Sequence, residues 1–323
     1  MSSHIDFNET ETNREIMSIL LSDHTTNKNI MWCTNDYSKN GKSYLPDSEI
    51  LIENITGKNQ DIIRPRISKL KSEKRQRSKD MAEVFTPSWI CNKQNNLVDN
   101  DWFGYIGAFN DETENGWITK EKVIFPENRT WKSYVAEQRM EITCGEAPYL
   151  TSRYDTTTGE YIEPKKRIGL LDRKLRVISE NTLSNEEWVD NALIALKSIY
   201  GYEFQGDSLL IARENLYLTF CDYYVDKFGT EPSLDLLKTV ATIISWNLWQ
   251  MDGLKMVVPN SCGVRKSIKV TIFGDEETFE DCEGCLKNNI HKHNGLYCKV
   301  MDWEKKKSIE FIQLMKGNVY GGF

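Results

Sequence analysis

The sequence predicts an α/β protein in which helices cover a parallel sheet. Two observations predict this fold class. From residue 141 onward, short apolar runs alternate with segments whose apolar residues recur at helical spacing. Parallel strands need a crossover connection, which is usually a helix, so this alternation favours a parallel sheet.

The predicted elements follow one another in chain order. The first strand and its turn are predicted in "EITCGEAPYL" (141–150), where an apolar-alternating run breaks at Gly145 and Pro148. A helix with an Asn or Ser cap follows in "SNEEWVDNALIALKSI". "IYGYEF" is predicted as the second strand, and "SLLIARENLYLTFCDYYVDKF" and "PSLDLLKTVATII" as two further helices. "SWNLWQMDGL" is predicted to end as the third strand, which breaks at Gly253.

Composition indicates an ordered globular protein. With 323 residues, of which 39% are hydrophobic and 11% aromatic, the chain can bury the core of one large domain or two smaller ones. The first thirty residues lack a continuous apolar run, and no stretch has the roughly 18 apolar residues of a membrane span. We therefore expect neither a signal peptide nor a membrane partner. Eight scattered cysteines in a chain of this length favour free thiols in a reducing cytoplasm over a disulfide framework.

The amino-terminal part differs in character from the rest. Residues 1–60 are polar and rich in Asn, so they are expected to be peripheral. The aromatic-rich stretch Phe85–Trp131 is expected to form short strands or a packed layer of loops. The sequence thus predicts an irregular amino-terminal region (1–134) and an α/β core (135–323).

A basic run crosses the amino-terminal region even though the net charge of the chain is −7. "RPRISKLKSEKRQRSK", Arg64 to Lys79, carries eight Arg or Lys residues and a single Glu73. A cluster of this kind can neutralise several phosphates of a nucleic acid. It can equally be a solvated helix face or a linker, and both interpretations remain open.

Acidic side chains lie at or near the predicted strand ends. Glu203 ends the second strand and Asp252 ends the third, while Gly145 lies in the turn after the first. In doubly wound sheets, ligands bind at the carboxyl ends of the strands, beside a glycine turn and an acidic residue that accepts hydrogen bonds from a ribose. This edge is therefore the predicted ligand site.

At these residues the chain resembles the adenine-specific DNA methyltransferases, in particular the modification (M) subunits of restriction systems. "EVFTP", "EITCGEAP", "YGYEFQGDSLLIARENLYL" and "QMDGL" are similar to segments of that family and occur in its order. The resemblance implies a Rossmann-like methyltransferase core, S-adenosylmethionine as cofactor, double-stranded DNA as substrate, and a specificity or restriction subunit as a further partner. The cofactor-binding residues that it implies are Phe85, Thr86, Pro87, Glu141, Cys144, Gly145, Glu203, Phe204 and Asp252.

The chain departs from this family at the catalytic loop. The family uses an Asn or Asp followed by two prolines and an aromatic residue, and this chain contains no Pro-Pro pair. Asp302 and Trp303, in "LYCKVMDW", are candidates to replace the acceptor and the stacking ring. The catalytic residues therefore stay unassigned, and a binding module that has lost its catalytic loop is the alternative to an active methyltransferase.

The carboxyl-terminal part contains a possible metal site. In "CEGCLKNNIHKHNGLYC", Cys282, Cys285, His293 and Cys298 could close a tetrahedral zinc site, with His291 as a second histidine. The site would lie in an insertion at 282–298. Free thiols beside a polar loop are the alternative, and a zinc-stabilised interaction protein is the third function class that the sequence leaves open.

Overall fold

The structure, a computed structural model, describes residues 11–65, 86–271 and 274–315. Phe85 and all of the basic run after Pro65 lie outside the described residues. The helices are α1 (Glu11–Leu21), α2 (Ser88–Phe103), α3 (Trp131–Ala136), α4 (Leu170–Asn181), α5 (Asn185–Lys197), α6 (Gly206–Phe228), α7 (Leu234–Asn247) and α8 (Glu283–Lys287). Short 3-10 helices cover Ser38–Asn40, Lys42–Tyr44, Ile52–Asn54, Gly57–Asn59, Pro164–Lys166 and Phe311–Met315.

A three-stranded parallel sheet is formed by β5 (Arg139–Glu141), β6 (Ile199–Glu203) and β7 (Leu248–Gln250), in that spatial order. This sheet confirms the predicted α/β class and the order of the three strands. The predicted position of the first strand is wrong, because β5 ends at Glu141 and the residues that follow form its turn. The other strands form antiparallel pairs: β1 (Ser22–Asp23) with β2 (Lys28–Asn29), β3 (Asn110–Glu112) with β4 (Trp117–Thr119), β8 (Arg265–Thr271) with β9 (Gly274–Glu280), and β10 (Lys299–Asp302) with β11 (Lys307–Glu310).

Two of the core helices, α5 and α7, begin at a serine whose side chain caps a backbone N–H group of the first turn. The hydroxyl of Ser184 accepts a hydrogen bond from the N–H of Glu187 at 3.2 Å, which starts α5. The hydroxyl of Ser233 does the same for Leu236 at the start of α7. Helix α6 ends at Gly229, which adopts the left-handed conformation (φ 68°). The predicted helices of the core are therefore confirmed, including the cap of α5.

The two faces of the parallel sheet pack against different parts of the chain. Ile199 and Leu248 belong to a large core that includes residues of α4 to α7. Tyr202 and Trp249 belong to a smaller cluster with Val300 and other residues of the carboxyl-terminal segment. Because side chains alternate along a strand, β6 and β7 contribute to both clusters. The segment after β7 thus covers one face of the sheet.

The expectation that residues 1–60 are peripheral is wrong. Ile16, Leu20, Ile30 and Trp32 are fully buried in the large core, next to residues of α6 and α7. The sequence does not indicate this core role, because the apolar residues of 1–60 occur as one short run and as single large side chains between polar stretches. The large core contains residues from both sides of position 134, and the domain boundary stays a prediction.

The expectation of short strands or loops between Phe85 and Trp131 is also incorrect for its first part, which is helix α2. The buried face of α2 is polar and contains Asn92, Asn96 and Asp99. The guanidinium of Arg173 donates hydrogen bonds to the side-chain oxygens of these three residues. A helix that buries amides instead of apolar residues shows no apolar stripe, so its periodicity could not be recognised.

Arg213, in the middle of α6, joins four elements of the core. Its guanidinium is fully buried and donates hydrogen bonds to the carbonyls of Leu20, in the last turn of α1, and Ser22, in β1. It also donates to the carbonyls of Ser245 in α7 and Leu248 in β7, at 3.0 and 2.6 Å. Burial lowers the pKa of this guanidinium to about 10, which still leaves it charged at neutral pH.

Replacing Arg213 with Ala should lower the free energy of unfolding by about 3–5 kcal/mol, because it leaves buried carbonyls without donors and opens a cavity. Urea unfolding followed by circular dichroism measures the loss. Arg14→Ala, at an exposed position of α1, is the control and should change stability by less than about 0.5 kcal/mol. A loss of stability below about 1 kcal/mol for Arg213→Ala would contradict the proposed role of its hydrogen bonds in holding these elements together.

Candidate functional site

The carboxyl ends of the three parallel strands meet at one edge of the sheet. Glu141 ends β5, Glu203 ends β6, and Asp252 follows β7 by two residues. The register pairs Glu141 with Gly201 and Glu203 with Gln250. This is the edge at which the sequence predicts ligand binding.

The carboxylate of Glu203 is the hydrogen-bonding centre of this edge. Its Oε1 accepts hydrogen bonds from the N–H groups of Phe204 and Gln205, at 2.9 and 3.1 Å. Its Oε2 accepts one from the N–H of Gly145 at 2.9 Å. Burial raises the pKa of Glu203, although these three backbone donors oppose the shift. The structure therefore brings Gly145, Glu203 and Phe204 together, as the sequence predicts.

The loop after β5 leaves the backbone of Gly145 accessible on one side. Gly145 has a positive φ of 54°, and a methyl group built at its Cα would meet no atom within 4 Å. The side-chain amide of Asn215, in α6, donates a hydrogen bond to the carbonyl of Glu146 at 3.0 Å and so attaches the loop to α6. Cys144 is buried, and its Sγ lies against Gly201, so its contacts are those of a packing residue.

Glu141 is a second buried carboxylate beside Glu203. Burial raises its pKa well above the ordinary value, and the nearby charge of Glu203 adds to the shift. Hydrogen bonds from the backbone N–H groups of Tyr149 and Leu150 oppose it. Among the described residues, its Oε2 has no hydrogen-bond partner. Two buried carboxylates thus lie at the same edge of the sheet.

Thr86 and Pro87, the described part of the "FTP" segment, lie beside the same loop. The carbonyl of Thr86 accepts a hydrogen bond from the hydroxyl of Thr156 at 2.8 Å. The side chain of Tyr149, whose backbone N–H faces Glu141, also forms a hydrogen bond with Thr86. Pro87 caps α2 and lines a groove of about 450 Å³, whose walls include the rings of Trp89 and Trp117.

Asp252 is engaged in its own turn. Its Oδ1 accepts a hydrogen bond from the N–H of Leu254 at 3.1 Å, and its Oδ2 forms an ion pair with Lys255 at 3.2 Å. Gly253 packs against the ring of Tyr202, where a Cβ would approach a ring carbon to 2.6 Å. Asp252 therefore lies at the predicted edge, with its carboxylate already bonded.

The suggestion that Asp302 and Trp303 replace the catalytic loop is wrong in position. The indole N–H of Trp303 donates to Asn247, the residue directly before β7, at 2.8 Å. The ammonium of Lys197, which precedes β6, lies 5.5 Å from the ring of Trp303. Both neighbours mark the amino ends of the strands, whereas the acidic edge lies at their carboxyl ends. Asp302 itself bonds to Lys305 within the turn after β10.

A second candidate site lies in the carboxyl-terminal segment, where four potential metal ligands converge. The ligand atoms of Cys262, Cys282, Cys285 and His293 all lie within 4.8 Å of one another. Sγ of Cys262 is 3.2 Å from Sγ of Cys282, 3.5 Å from Sγ of Cys285 and 3.3 Å from Nδ1 of His293. Nδ1 of His293 is 3.5 and 3.6 Å from the sulfurs of Cys282 and Cys285. This cluster could hold a metal ion such as zinc.

Two glycines and two hydrogen bonds shape the cluster. A Cβ at Gly284 would lie 2.5 Å from the backbone nitrogen of His293, and one at Gly295 would lie 2.8 Å from Cβ of Cys262. The hydroxyl of Tyr297 accepts a hydrogen bond from the N–H of His293 at 3.0 Å. The N–H of Asn294 donates to the sulfur of Cys282. Burial tends to raise the pKa of that thiol, yet hydrogen bonds, first among them that of Asn294, lower it to about 6.

The metal ligands predicted from sequence need one correction. Cys282, Cys285 and His293 are brought together, but Cys298 lies outside the cluster and Cys262 takes its place. Cys298 is fully buried in the smaller core and its thiol donates to the carbonyl of Gln250 at 3.3 Å. Cys262 was missed because the β8–β9 hairpin separates it from Cys282. The signal that could have found it is the turn sequence "PNSCG", which places Cys262 directly before the β8–β9 hairpin.

Comparisons with known proteins add no assignment, since no family model, no curated protein and no solved structure matches the chain. Within the described parts of the chain, every helix is too short or too polar to cross a membrane.

Glu141→Gln should reduce the loss of stability that the protein suffers as pH rises. Because burial raises the pKa of Glu141, the folded protein holds this proton more tightly than the unfolded chain. Its stabilising effect is fully present below the unfolded pKa of about 4.3 and is lost as pH rises towards the folded pKa. Gln does not titrate, so the free energy of unfolding should fall less with pH in the variant.

Urea unfolding between about pH 4.5 and pH 8 tests this prediction. Glu114→Gln, an exposed position in the turn between β3 and β4, is the matched control and should follow the parent at every pH. A profile for Glu141→Gln that is parallel to the parent would contradict the raised pKa of Glu141.

Proposed function

We propose that this chain is a DNA adenine methyltransferase-like protein that binds S-adenosylmethionine at the carboxyl edge of the parallel sheet. The observation that carries the proposal is Glu203, a buried carboxylate at the end of the middle strand that is bonded to the glycine loop of the neighbouring strand. An acidic residue in this position accepts hydrogen bonds from ribose hydroxyls in nucleotide-binding α/β folds.

The residues at this edge fit the adenosine part of the cofactor. A carboxylate has about four acceptor positions, and backbone donors occupy three of those of Glu203. One position therefore remains for a ribose hydroxyl. Beside Gly145, a Cβ would meet no atom within 4 Å, so a ligand group could approach the backbone at this position. S-adenosylmethionine would supply the methyl group when bound.

The remaining roles follow from the family resemblance. Phe85, Thr86 and Pro87 would line the methionine end of the cofactor, and Asp252 would accept the adenine amine after it releases Leu254 and Lys255. The groove beside Pro87, with its tryptophan rings, offers stacking surfaces for an unpaired base of DNA.

One observation favours a binding module over an active enzyme. The sequence has no Pro-Pro pair, which the catalytic loop of the family contains. We therefore propose that the chain contributes cofactor and DNA binding, and that a partner such as a specificity or restriction subunit completes the system.

A second candidate function is a zinc-stabilised interaction protein. The convergence of three cysteines and one histidine favours it, because metal sites of this composition commonly stabilise small binding modules. This second function is compatible with ligand binding at the sheet edge. Unlike the first proposal, it requires no nucleoside cofactor.

Glu203→Gln should weaken the binding of S-adenosylmethionine by about 1.5–3 kcal/mol, the range for a hydrogen bond to a charged acceptor. Isothermal titration calorimetry measures the affinity, with one cofactor expected per parent chain. Thermal unfolding of each variant is recorded in parallel, because the substitution also disturbs the backbone donors of Gly145, Phe204 and Gln205.

Ser198→Ala is the matched control for stability. Ser198 is buried directly before β6, at the opposite end of the same strand, and bonds to Lys174 and Val135. The control should lose stability and keep cofactor affinity. No binding by the parent, or equal affinity in a folded Glu203→Gln variant, would remove the assignment.

The DNA part of the proposal rests on the basic run from Arg64 to Lys79. Affinity for duplex DNA should fall steeply with salt, with a logarithmic slope of about −0.9 for each phosphate neutralised. Replacing Arg75 and Arg77 together with Ala should make this slope shallower by about two units without changing sequence preference. Filter binding at several salt concentrations measures it.

Lys165→Ala with Lys166→Ala removes the same charge from an exposed 3-10 turn and serves as the control. If the basic run is a solvated helix face, both double variants will bind DNA like the parent. Weak and salt-independent binding by all three proteins would contradict DNA as a substrate.

A further inference from the structure

We propose that Cys262, Cys282, Cys285 and His293 bind one Zn²⁺ ion in a closed structural site that anchors the β8–β9 hairpin to the turn after β7. This inference goes beyond the cofactor site and does not depend on it, because none of the four ligands belongs to the acidic edge of the sheet.

The donor atoms have the spacing of a tetrahedral zinc site. With Zn–S bonds of about 2.3 Å and Zn–N bonds of about 2.0–2.1 Å, a regular tetrahedron has S–S edges of about 3.8 Å and S–N edges of about 3.6 Å. The five separations of Cys262 and His293 from the other ligands and from each other lie between 3.2 and 3.6 Å. Small shifts of the sulfurs would give the full tetrahedron.

A disulfide explains the cluster less well than a metal ion. The sulfurs of Cys262 and Cys282 are 3.2 Å apart, whereas a disulfide bond is about 2.05 Å long. A disulfide also gives no reason for His293 Nδ1 to lie at nearly equal distances from three sulfurs. Three thiolates and an imidazole are a preferred ligand set of structural zinc.

Residues around the cluster form hydrogen bonds that orient the metal ligands, as residues outside the first coordination shell commonly do. Asn294 donates its N–H to the sulfur of Cys282, and Tyr297 holds the backbone of His293. Gly284 and Gly295 lack a Cβ, and this allows the segments that carry His293 and Cys262 to approach them closely. All four coordination positions are filled by protein atoms, so no position is open for water or substrate, as in structural zinc sites.

The site ties together segments that are remote in sequence. Cys262 follows the strand-like residues Val257 and Val258, which pair with Tyr297 and Leu296. Cys282 and Cys285 follow the hairpin β8–β9. In the turn after β7, Lys255 forms an ion pair with Asp252 at 3.2 Å. The zinc site thus holds the turn that follows β7 and closes the base of the hairpin.

Metal analysis of the purified full chain tests the proposal with matched pairs of variants. We expect one zinc per chain in the parent, in Cys298→Ala and in His291→Ala, since Cys298 and the exposed His291 lie outside the cluster. Cys262→Ala and His293→Ala should retain less than about one tenth of the metal, because three ligands bind zinc far more weakly than four. Co²⁺ in place of zinc should give visible absorption from cobalt–thiolate bonds in the parent.

Hydrogen exchange of the parent, with and without a chelator, tests the anchoring and does not depend on variants that fail to fold. Removal of zinc should speed exchange at least tenfold for the amides of Asp252, Val258 and Cys298, which bond to Val257, Leu296 and Met256. The amides of β6 should keep their protection.

Three outcomes would overturn the proposal: a parent chain without metal that takes up none from added Zn²⁺ or Co²⁺, equal metal loss in Cys298→Ala and Cys262→Ala, or unchanged exchange after chelation. A parent mass lower by two hydrogens, with no metal bound, would identify a disulfide instead.

Discussion

The guanidinium of Arg213 is the interaction on which the rest of the core depends. A three-stranded parallel sheet is too small to hold four helices by its own hydrogen bonds, and the ends of α1, α7 and β7 leave carbonyls without intrahelical or ladder partners. Arg213 supplies donors to these carbonyls from the middle of α6. A buried charge of this kind is stable only because its donors are satisfied, so the position of every attached element is strongly constrained.

The same helix fixes the candidate site. Asn215, two residues after Arg213, bonds to the loop that carries Gly145, and the first turn of α6 begins directly after Glu203 and Gln205. The segment "IARENL", on which the proposed resemblance mainly rests, has structural roles: its arginine bonds to the core carbonyls and its asparagine bonds to the loop that carries Gly145. A resemblance in this segment therefore predicts how the carboxyl edge of the sheet is built, and it does not predict which reaction takes place there.

The sequence predicted those parts of the fold whose signals are local. The strand around Glu203 and the helix capped by Ser184 were found because an apolar period and a cap lie within a few residues of one another. Helix α2 was missed because its buried face consists of amides that pair with Arg173, a residue far away in the chain.

Cys262 was missed for a related reason. Its metal partners are twenty or more positions away, and a hairpin brings them together. Cys298 fits the spacing of a zinc motif equally well in the sequence, but the backbone bonds of Cys298 and Phe311 direct it into the small core. Interactions of this kind depend on tertiary contacts that no local pattern records.

The two carboxylates at the sheet edge argue for a ligand there on energetic grounds. Burial raises the pKa values of both carboxylates, and a neighbouring charge adds to each shift, that of Glu203 for Glu141 and that of Asp207 for Glu203. Their ionised forms therefore destabilise the folded state. Apolar or amide side chains at these positions would give a more stable edge, since well-packed neutral groups often replace buried charges without loss. Groups that lower stability in this way are concentrated at functional sites, where their charge serves binding. Glu203 accepts a hydrogen bond from the N–H of Gly145, and among the described residues Oε2 of Glu141 has no hydrogen-bond partner. Under the proposed function, a ligand with several hydrogen-bond donors, such as a ribose, would bind to these acceptors and stabilise the fold.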